Sequence, residues 1–285
     1  MKAGISIWSF PGGLSGVKDY GPVARQAKAA GFDGLEVAIS PEGALTPESD
    51  ERQIAAVGTA IRNEGLEVAG VATGMGWEYS LTHPDKQIRE KGKDIVRREI
   101  AVAKALGVDA VLVVPGSVDV FFMPQAPVVD YRDAWQRASE AIASLVPEAQ
   151  AAGVRIGVEN VWNRFLLSPM EMVQFIDSFG SPSVGAFFDV GNVALLGYPE
   201  QWIKALGARI CRVHVKDFRR SVGTAGGFVD LLSGEINWPA VTTALREIGY
   251  DGFVTAEMIP PYTYYPEVLI ENTARALRAI LRGGA

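Results

Sequence analysis

The feature that most constrains this sequence is a regular alternation of short strand-like runs with longer segments of helical period. Each short run is apolar and rich in β-branched or aromatic residues, and the segments between the runs repeat apolar residues every three to four positions. Eight strand-like runs occur, at residues 4–8, 34–39, 67–72, 110–114, 155–159, 184–189, 210–215 and 253–258. Strands that alternate with helices in this way form a parallel sheet.

The spacing of the eight runs indicates how the sheet closes. A chain of 285 residues provides about 36 residues for each of eight units, enough for a strand, a helix and two loops. No linker rich in Pro, Ser or Gly divides the sequence into halves. We therefore predict a single α/β domain over residues 1–285, folded as a (β/α)8 TIM barrel. A doubly wound sheet is the alternative, but the first run is not followed by the GxGxxG phosphate turn typical of that fold.

Composition and charge exclude several classes of protein. Hydrophobic residues make up 48% and charged residues 21%, which is typical of a chain that folds. The formal net charge of −6 and the lack of a basic tract argue against nucleic acid as a partner. No apolar stretch approaches the ~18 residues of a membrane span, and the amino terminus lacks a signal-peptide pattern. The lone Cys211 cannot form an intramolecular disulfide. From these features together we expect a cytoplasmic protein with no membrane partner.

Polar residues stand at the ends of four consecutive runs, the fifth to the eighth. These residues are Glu159, Asp189, His214 and Glu257. The active site of a TIM barrel lies at the carboxyl ends of the strands, so neighbouring strands would bring these side chains together. Three carboxylates and one imidazole form a mostly hard ligand set, and we predict that they bind one divalent metal ion. Mn²⁺ is the first expectation, and Mg²⁺, Co²⁺ and Zn²⁺ are also compatible.

Glu159 and Glu257 are also candidates for acid–base chemistry. Two carboxylates on either side of a bound substrate can remove a proton from one face and return a proton to the other. A metal ion between them would polarise a carbonyl and stabilise the enediolate left when an adjacent C–H proton is lost. This chemistry epimerises or isomerises a ketose. In the alternative, both glutamates are only ligands, and water or Lys216 transfers the protons.

Other residues near the strand ends are candidates for substrate binding. Trp8 and Trp162 could form an apolar wall of a sugar pocket. Glu36, in the second run, could accept a sugar hydroxyl, support His83 or form a salt bridge at the barrel mouth. Lys216 could contact the substrate or orient its neighbours. The loop at residues 219–227 contains two arginines and could hold a phosphate or be a solvated loop.

Four segments of the sequence resemble one known family. The segments are Val158-Glu159-Asn160, Phe188-Asp189-Val190-Gly191-Asn192, Val213-His214-Val215-Lys216-Asp217 and Thr255-Ala256-Glu257-Met258. They resemble the xylose-isomerase-like TIM-barrel superfamily of sugar and sugar-phosphate isomerases and epimerases. Within it, the order of the residues is most similar to ketose 3-epimerases of the L-ribulose-5-phosphate (L-xylulose-5-phosphate) 3-epimerase type. The resemblance covers nearly the whole chain and is strongest from about Arg155 onward.

The resemblance implies a role for the four residues at the strand ends. It implies a divalent metal ion bound by Glu159, Asp189, His214 and Glu257. Two of these residues, Glu159 and Glu257, would also act as the acid–base pair at C3 of the ketose. The reaction implied is inversion at C3 of a ketose or ketose phosphate.

The resemblance also extends to residues around the reacting carbon. It implies that Asn192 contacts a substrate hydroxyl, as in the sugar-phosphate branch, and that Arg220 contacts substrate oxygens. Phe165 departs from the free-sugar enzymes, which have a glutamate six residues after the first ligand. A homodimer or homotetramer is implied as well. An aldose–ketose isomerase or a dehydratase on the same metal site, or a non-catalytic sugar-binding protein, remain the alternative functions.

Overall fold

Eight parallel strands form a closed barrel in this protein. The structure is a computed structural model, and it describes residues 1–283. In chain order, the strands are β1 (Lys2–Ser6), β2 (Gly34–Ile39), β3 (Glu67–Thr73), β4 (Ala110–Val113), β5 (Arg155–Glu159), β6 (Val184–Asp189), β7 (Ile210–Val215), β8 (Asp217–Phe218), β9 (Phe228–Val229) and β10 (Phe253–Ala256). The barrel runs from β1 through β7 to β10, which pairs with β1 again, while β8 and β9 form a separate antiparallel pair. The predicted (β/α)8 barrel is confirmed.

Helices connect the barrel strands. They are α1 (Tyr20–Ala30), α2 (Glu51–Asn63), α3 (Lys86–Leu106), α4 (Tyr131–Ala152), α5 (Pro169–Asp177), α6 (Val190–Val193), α7 (Pro199–Leu206), α8 (Trp238–Glu247) and α9 (Pro266–Arg282). Three of them end at a glycine in the left-handed region, Gly31, Gly107 and Gly153, because glycine adopts a positive φ without the Cβ clash of other residues. Within residues 1–283, no helix is long and apolar enough to cross a bilayer.

The strand bounds follow the apolar runs closely: β3 ends one residue later and β4 one residue earlier than predicted, and the larger differences are at the two ends of the chain. β2, β5, β6 and β7 have the predicted bounds. β1 lies two residues earlier than predicted, because residues 7–9 form a 3-10 helix whose first turn is capped by the Ser6 side chain. β10 ends at Ala256, so Glu257 lies just beyond the strand, although its N–H still donates a hydrogen bond to the Val215 carbonyl of β7.

The segment after β7 folds back over the carboxyl end of the barrel and is held there by Asp217. The buried carboxylate of Asp217 accepts hydrogen bonds from the N–H groups of Leu232 and Ile236 and from the indole N–H of Trp238, at 3.0, 3.3 and 2.9 Å. It also accepts the N–H of Phe218 at 2.8 Å. One side chain therefore fixes the segment between β7 and α8, which includes the β8–β9 pair, against the mouth of the barrel.

Candidate active site

The structure brings together the side chains of the four strand-end residues. Glu159 ends β5, Asp189 ends β6, His214 is the last but one residue of β7, and Glu257 follows β10. These strands are neighbours in the barrel, and all four side chains are buried. The Nδ1 atom of His214 lies 4.0 Å from Oε1 of Glu159 and 3.6 Å from Oε1 of Glu257. The predicted convergence of these residues is therefore present at the carboxyl end of the barrel.

Three of these residues have the geometry of a metal site. One ligand atom from each of Glu159, Asp189 and His214 lies within 4.8 Å of the other two. Oδ2 of Asp189 and Nδ1 of His214 are buried and form no hydrogen bond with the described part of the chain. Buried polar atoms without hydrogen bonds are rare and destabilising, so these two atoms are suited to bind a cation. The trio could hold a metal ion, and its oxygen and imidazole ligands fit a divalent one.

Glu257 lies beside the trio and is paired with Lys216, the first residue after β7. The Lys216 ammonium forms an ion pair with Oε2 of Glu257 and lies 3.0 Å from Oδ2 of Asp189. Its Nζ is also 5.2 Å from the centre of the Phe228 ring, within the range of a cation–π contact. The sequence suggested Lys216 as a substrate contact, and the structure places its charge between two of the site carboxylates.

Glu36 orients the imidazole of His214 from the opposite side of the barrel. Both carboxylate oxygens of this β2 residue lie close to Nε2 of His214, at 2.9 and 3.0 Å, and both side chains are fully buried. With Nε2 bound to Glu36, Nδ1 is directed at Glu159 and Glu257. Metal-binding histidines commonly have such a carboxylate on the other ring nitrogen. The sequence suggested a sugar hydroxyl, His83 or a salt bridge at the mouth as the partner of Glu36, and its partner in the structure is His214.

The site shifts the pKa values of its ionisable groups in different directions. Burial raises the pKa of Glu159 well above its ordinary value, and the charges of Glu257 and Asp189 raise it further. Burial also acts to raise the pKa of Glu257, but the charges of Lys216 and His214 outweigh it and lower that pKa. Burial lowers the pKa of His214, but the charge and hydrogen bond of Glu36 together with the charges of Glu257 and Glu159 outweigh this effect, so that the pKa rises to about 9. Opposite shifts in two neighbouring carboxyl groups are typical of acid–base pairs.

Asn160 is a residue of the site that the sequence reasoning missed. Its side-chain amide binds both backbone groups of Asp189, donating to the carbonyl and accepting from the N–H, each at 2.8 Å. The Asn192 side chain donates to the Asn160 carbonyl at 2.9 Å, and the Asn192 N–H donates to Oδ1 of Asp189 at 2.8 Å. These contacts fix the end of β6. The available signal was the position of Asn160, directly after Glu159 in the same motif.

Two cavities open at the carboxyl end of the barrel. The first, about 380 Å³, is lined by Lys216, Glu257 and Phe228, among others. The second, about 850 Å³, lies between the loops that follow β5, β6 and β7 and is lined by Trp162 and Asn192, among others. The rings of Trp162 and Phe228 lie 5.0 Å apart, so this aromatic pair stands between the two cavities. Of these two cavities, the first is lined by the ion pair of Lys216 and Glu257.

Comparison with known proteins decides the family. The family model described as xylose isomerase-like TIM barrel matches residues 24–280, which is nine-tenths of the chain. The chain belongs to this family. The family predicted from the sequence motifs is thus confirmed.

Relatives of this xylose isomerase-like barrel include named sugar 3-epimerases. SgbU of Escherichia coli strain K12, provisionally named an L-ribulose-5-phosphate 3-epimerase, is 26% identical over 267 residues, which cover 89% of this chain and 88% of SgbU. The L-ribulose 3-epimerase of Mesorhizobium japonicum is 25% identical over 285 residues, covering 96% of this chain and 85% of that enzyme. The crystal structure of D-psicose 3-epimerase with D-tagatose from Clostridium cellulolyticum H10 has the same fold, with a TM-score of 0.79, 20% identity and 99% coverage of both chains.

The remaining candidate residues of this family member lie around the charged cluster rather than in it. The Trp162 indole N–H donates to the Asn192 carbonyl at 2.8 Å. The Nε–H of Arg220 donates to the Ala194 carbonyl at 2.8 Å, and its guanidinium lies 4.9 Å from the centre of the Tyr198 ring. Within residues 1–283, Arg220 forms no ion pair with a carboxylate. Trp8 is buried in the apolar core.

Proposed function

We propose that this protein is a divalent-metal-dependent ketose 3-epimerase, an enzyme of the isomerase class. The observation that carries the proposal is the pair of buried glutamates, Glu159 and Glu257, which lie within 4.0 Å of the same imidazole nitrogen and have opposite pKa shifts. The names of the relatives support the same reaction and a small carbohydrate as the substrate. Assembly as a homodimer or homotetramer and a cytoplasmic location remain predictions.

Glu159, Asp189, His214 and Glu257 would hold the metal ion, and the Asp189 and His214 atoms that form no hydrogen bond support this assignment. When bound, a divalent ion of this kind, with Mn²⁺ the first expectation, supplies a Lewis acid that polarises a ketose carbonyl and makes the adjacent C–H more acidic. The trio is fixed before substrate arrives, because Glu36 orients His214 and Asn160 fixes Asp189. Preorganised ligands of this type avoid the cost of reorganisation during the reaction.

We propose different steps for the two glutamates. Glu257, whose pKa is lowered, is ionised and removes the proton from C3 of the ketose. Glu159 returns a proton to C3 from the opposite face, a step that its raised pKa favours. The two residues exchange roles in the reverse reaction. Asn192, Trp162, Arg220 and Trp8 are proposed to shape the surroundings of the substrate rather than to transfer protons.

The first cavity has the size of a monosaccharide site. Its volume of about 380 Å³ lies within the range of ~300–1,000 Å³ that is usual for small-molecule sites. Glu257 and Lys216 line the cavity next to the reacting centre, and Arg219 lines it at an exposed position. Both free and phosphorylated ketoses therefore belong in the test of function.

The experiment that tests the proposal follows deuterium incorporation from D₂O by NMR. Metal-stripped and Mn²⁺-restored protein receive a panel of free and 5-phosphorylated ketoses, and deuterium is scored at each carbon. We expect metal-dependent label at C3, lost in Glu159→Gln and in Glu257→Gln. Glu67→Gln, which removes an exposed carboxylate on β3, is the matched control and should retain exchange.

Other outcomes of this experiment would replace the proposed reaction. Deuterium at C1 or C2 would assign an aldose–ketose isomerase, and loss of water from the sugar would assign a dehydratase on the same site. Metal-dependent binding of a ketose with no exchange at any carbon would indicate a non-catalytic sugar-binding protein.

A further inference from the structure

The ammonium of Lys216 lies inside the candidate metal site, whereas other lysines of this chain pair at the surface. Its side chain is 14% exposed, and its partners Asp189 and Glu257 are 0% and 7% exposed. The ion pair of Lys204 with Glu247, in contrast, is 57% and 51% exposed. Exposed pairs of that kind contribute little to stability, whereas a buried charge requires its partner.

We propose that Lys216 is the internal counter-cation of this carboxylate cluster: it holds Asp189 and Glu257 together before a metal ion binds, and it competes with that ion for Asp189. The inference rests on the proposed metal site. Lys216 is here a positioning residue that sets the affinity of the site for its metal.

The competition follows from the two oxygens of Asp189. Oδ1 accepts the Asn192 N–H at 2.8 Å and is therefore already satisfied. Oδ2 forms no hydrogen bond and is the oxygen left for a metal ion, yet it faces Nζ of Lys216 at 3.0 Å. A metal ion and the ammonium thus require the same oxygen.

The structure contains a built space for the Lys216 side chain. Gly191, two residues after Asp189, packs directly on Lys216, and a Cβ at position 191 would lie 2.7 Å from the Lys216 carbonyl oxygen and closer still to its Cγ. A side chain at this position would therefore displace Lys216. The Phe228 ring faces the ammonium at 5.2 Å. The lysine is held between these two residues with its charge directed into the cluster.

The charges of the cluster support the same role. Glu159, Asp189 and Glu257 contribute three carboxyl groups to a buried space. The Lys216 ammonium contacts the carboxylates of Asp189 and Glu257, and the His214 imidazole lies near those of Glu159 and Glu257. Removal of the lysine charge leaves an excess of negative charge that attracts a divalent ion more strongly.

The test measures metal affinity in the full-length protein rather than turnover. Mn²⁺ is titrated calorimetrically into metal-free wild-type protein, Lys216→Met and Lys216→Gln, and thermal unfolding is followed with and without Mn²⁺. We expect both variants to bind Mn²⁺ at least ~10-fold more tightly than wild type, because a nearby positive charge is removed. We also expect a lower melting temperature without metal and a smaller difference at saturating Mn²⁺.

The matched control is Lys204→Met, which removes the same charge from an exposed pair on α7 and should change neither quantity. Unchanged or weaker Mn²⁺ binding by both Lys216 variants would overturn the proposal. If the variants fold only when Mn²⁺ is present, the role before metal binding is supported. If the wild-type protein binds no divalent ion, the metal site of the proposed function is overturned as well. If the variants bind Mn²⁺ more tightly but wild type shows no exchange at C3, only the proposed reaction is overturned.

Discussion

Replacement of Asp217 by asparagine tests whether one carboxylate holds the loop segment at the mouth of the barrel. In the structure each of its two oxygens accepts two N–H groups. Oδ1 accepts those of Phe218 and Ile236, and Oδ2 accepts those of Leu232 and Trp238. An asparagine has one acceptor oxygen and presents an NH₂ group to the other pair of donors. Either orientation of the amide therefore leaves two N–H groups without an acceptor.

The expected loss of stability follows from this count. A buried donor without a partner costs about 1–3 kcal/mol, so two such donors predict a decrease of ~2–6 kcal/mol in the free energy of unfolding. The tight packing around Asp217 prevents an easy adjustment, because a Cβ at Gly234 would lie only 2.6 Å from the Phe218 nitrogen. The same segment includes Phe228, which lines the first cavity, so a higher KM for the ketose is expected together with the loss of stability.

The assay is equilibrium unfolding in urea of metal-free wild type, Asp217→Asn and a matched control. Asp177→Asn is the control, because its carboxylate pairs with Arg209 at the surface and is 51% exposed. The control should lose less than about 1 kcal/mol. A change of less than ~0.5 kcal/mol in Asp217→Asn would refute the role given to this carboxylate, because ordinary surface substitutions fall in that range.

Three further predictions concern buried ionisable groups. Glu36→Gln should lower the pKa of His214 from about 9 towards its ordinary value, because the charge of Glu36 is the largest effect that raises this pKa. An NMR titration of the metal-free protein measures the change, with His83 as the internal control. Cys211 is buried and burial raises the pKa of its thiol, so a thiol reagent should label it only as the protein unfolds; labelling at the rate of a free thiol in the native state would contradict this. Burial raises the pKa of Glu99 in α3, whose Oε1 has no hydrogen-bond partner. Above about pH 4.3 the unfolded chain ionises Glu99 more readily than the folded protein does, so the stability of the fold decreases above that pH. Glu99→Gln should therefore increase the free energy of unfolding by ~1–2 kcal/mol at neutral pH but not near pH 4.

Much of the barrel could be predicted from the sequence because its strands are buried on both faces. β2 and β6 are buried along their whole length, so each appears in the sequence as a continuous apolar run with clear ends. β1 was less well defined, because the apolar residues Ile7 and Trp8 continue the run into a 3-10 helix. The two-residue strands β8 and β9 have no periodicity that a sequence pattern can reveal.

The site was predictable to the extent that it depends on strand ends. Asp189 and His214 are neighbours in register on β6 and β7, and a parallel barrel brings such residues together whatever the intervening loops do. The hydrogen bonds of Asn160 to Asp189 could not be predicted in this way, because they depend on the path of the backbone after β5. The placement of Lys216 depends on the close approach of Gly191, which only the packed structure reveals.

The sequence by itself determined the repeated βα unit and the polar residues that end consecutive strands, since both depend on local burial and on positions along single elements. The tertiary structure alone decided which groups these residues contact. Glu36 and His214 are 178 positions apart, and they meet because the barrel closes and places β2 across from β7. The pKa of His214 and the pairing of Lys216 with Asp189 likewise depend on distances between buried charges. Because these charges belong to different strands, their distances are set only when the whole barrel is packed.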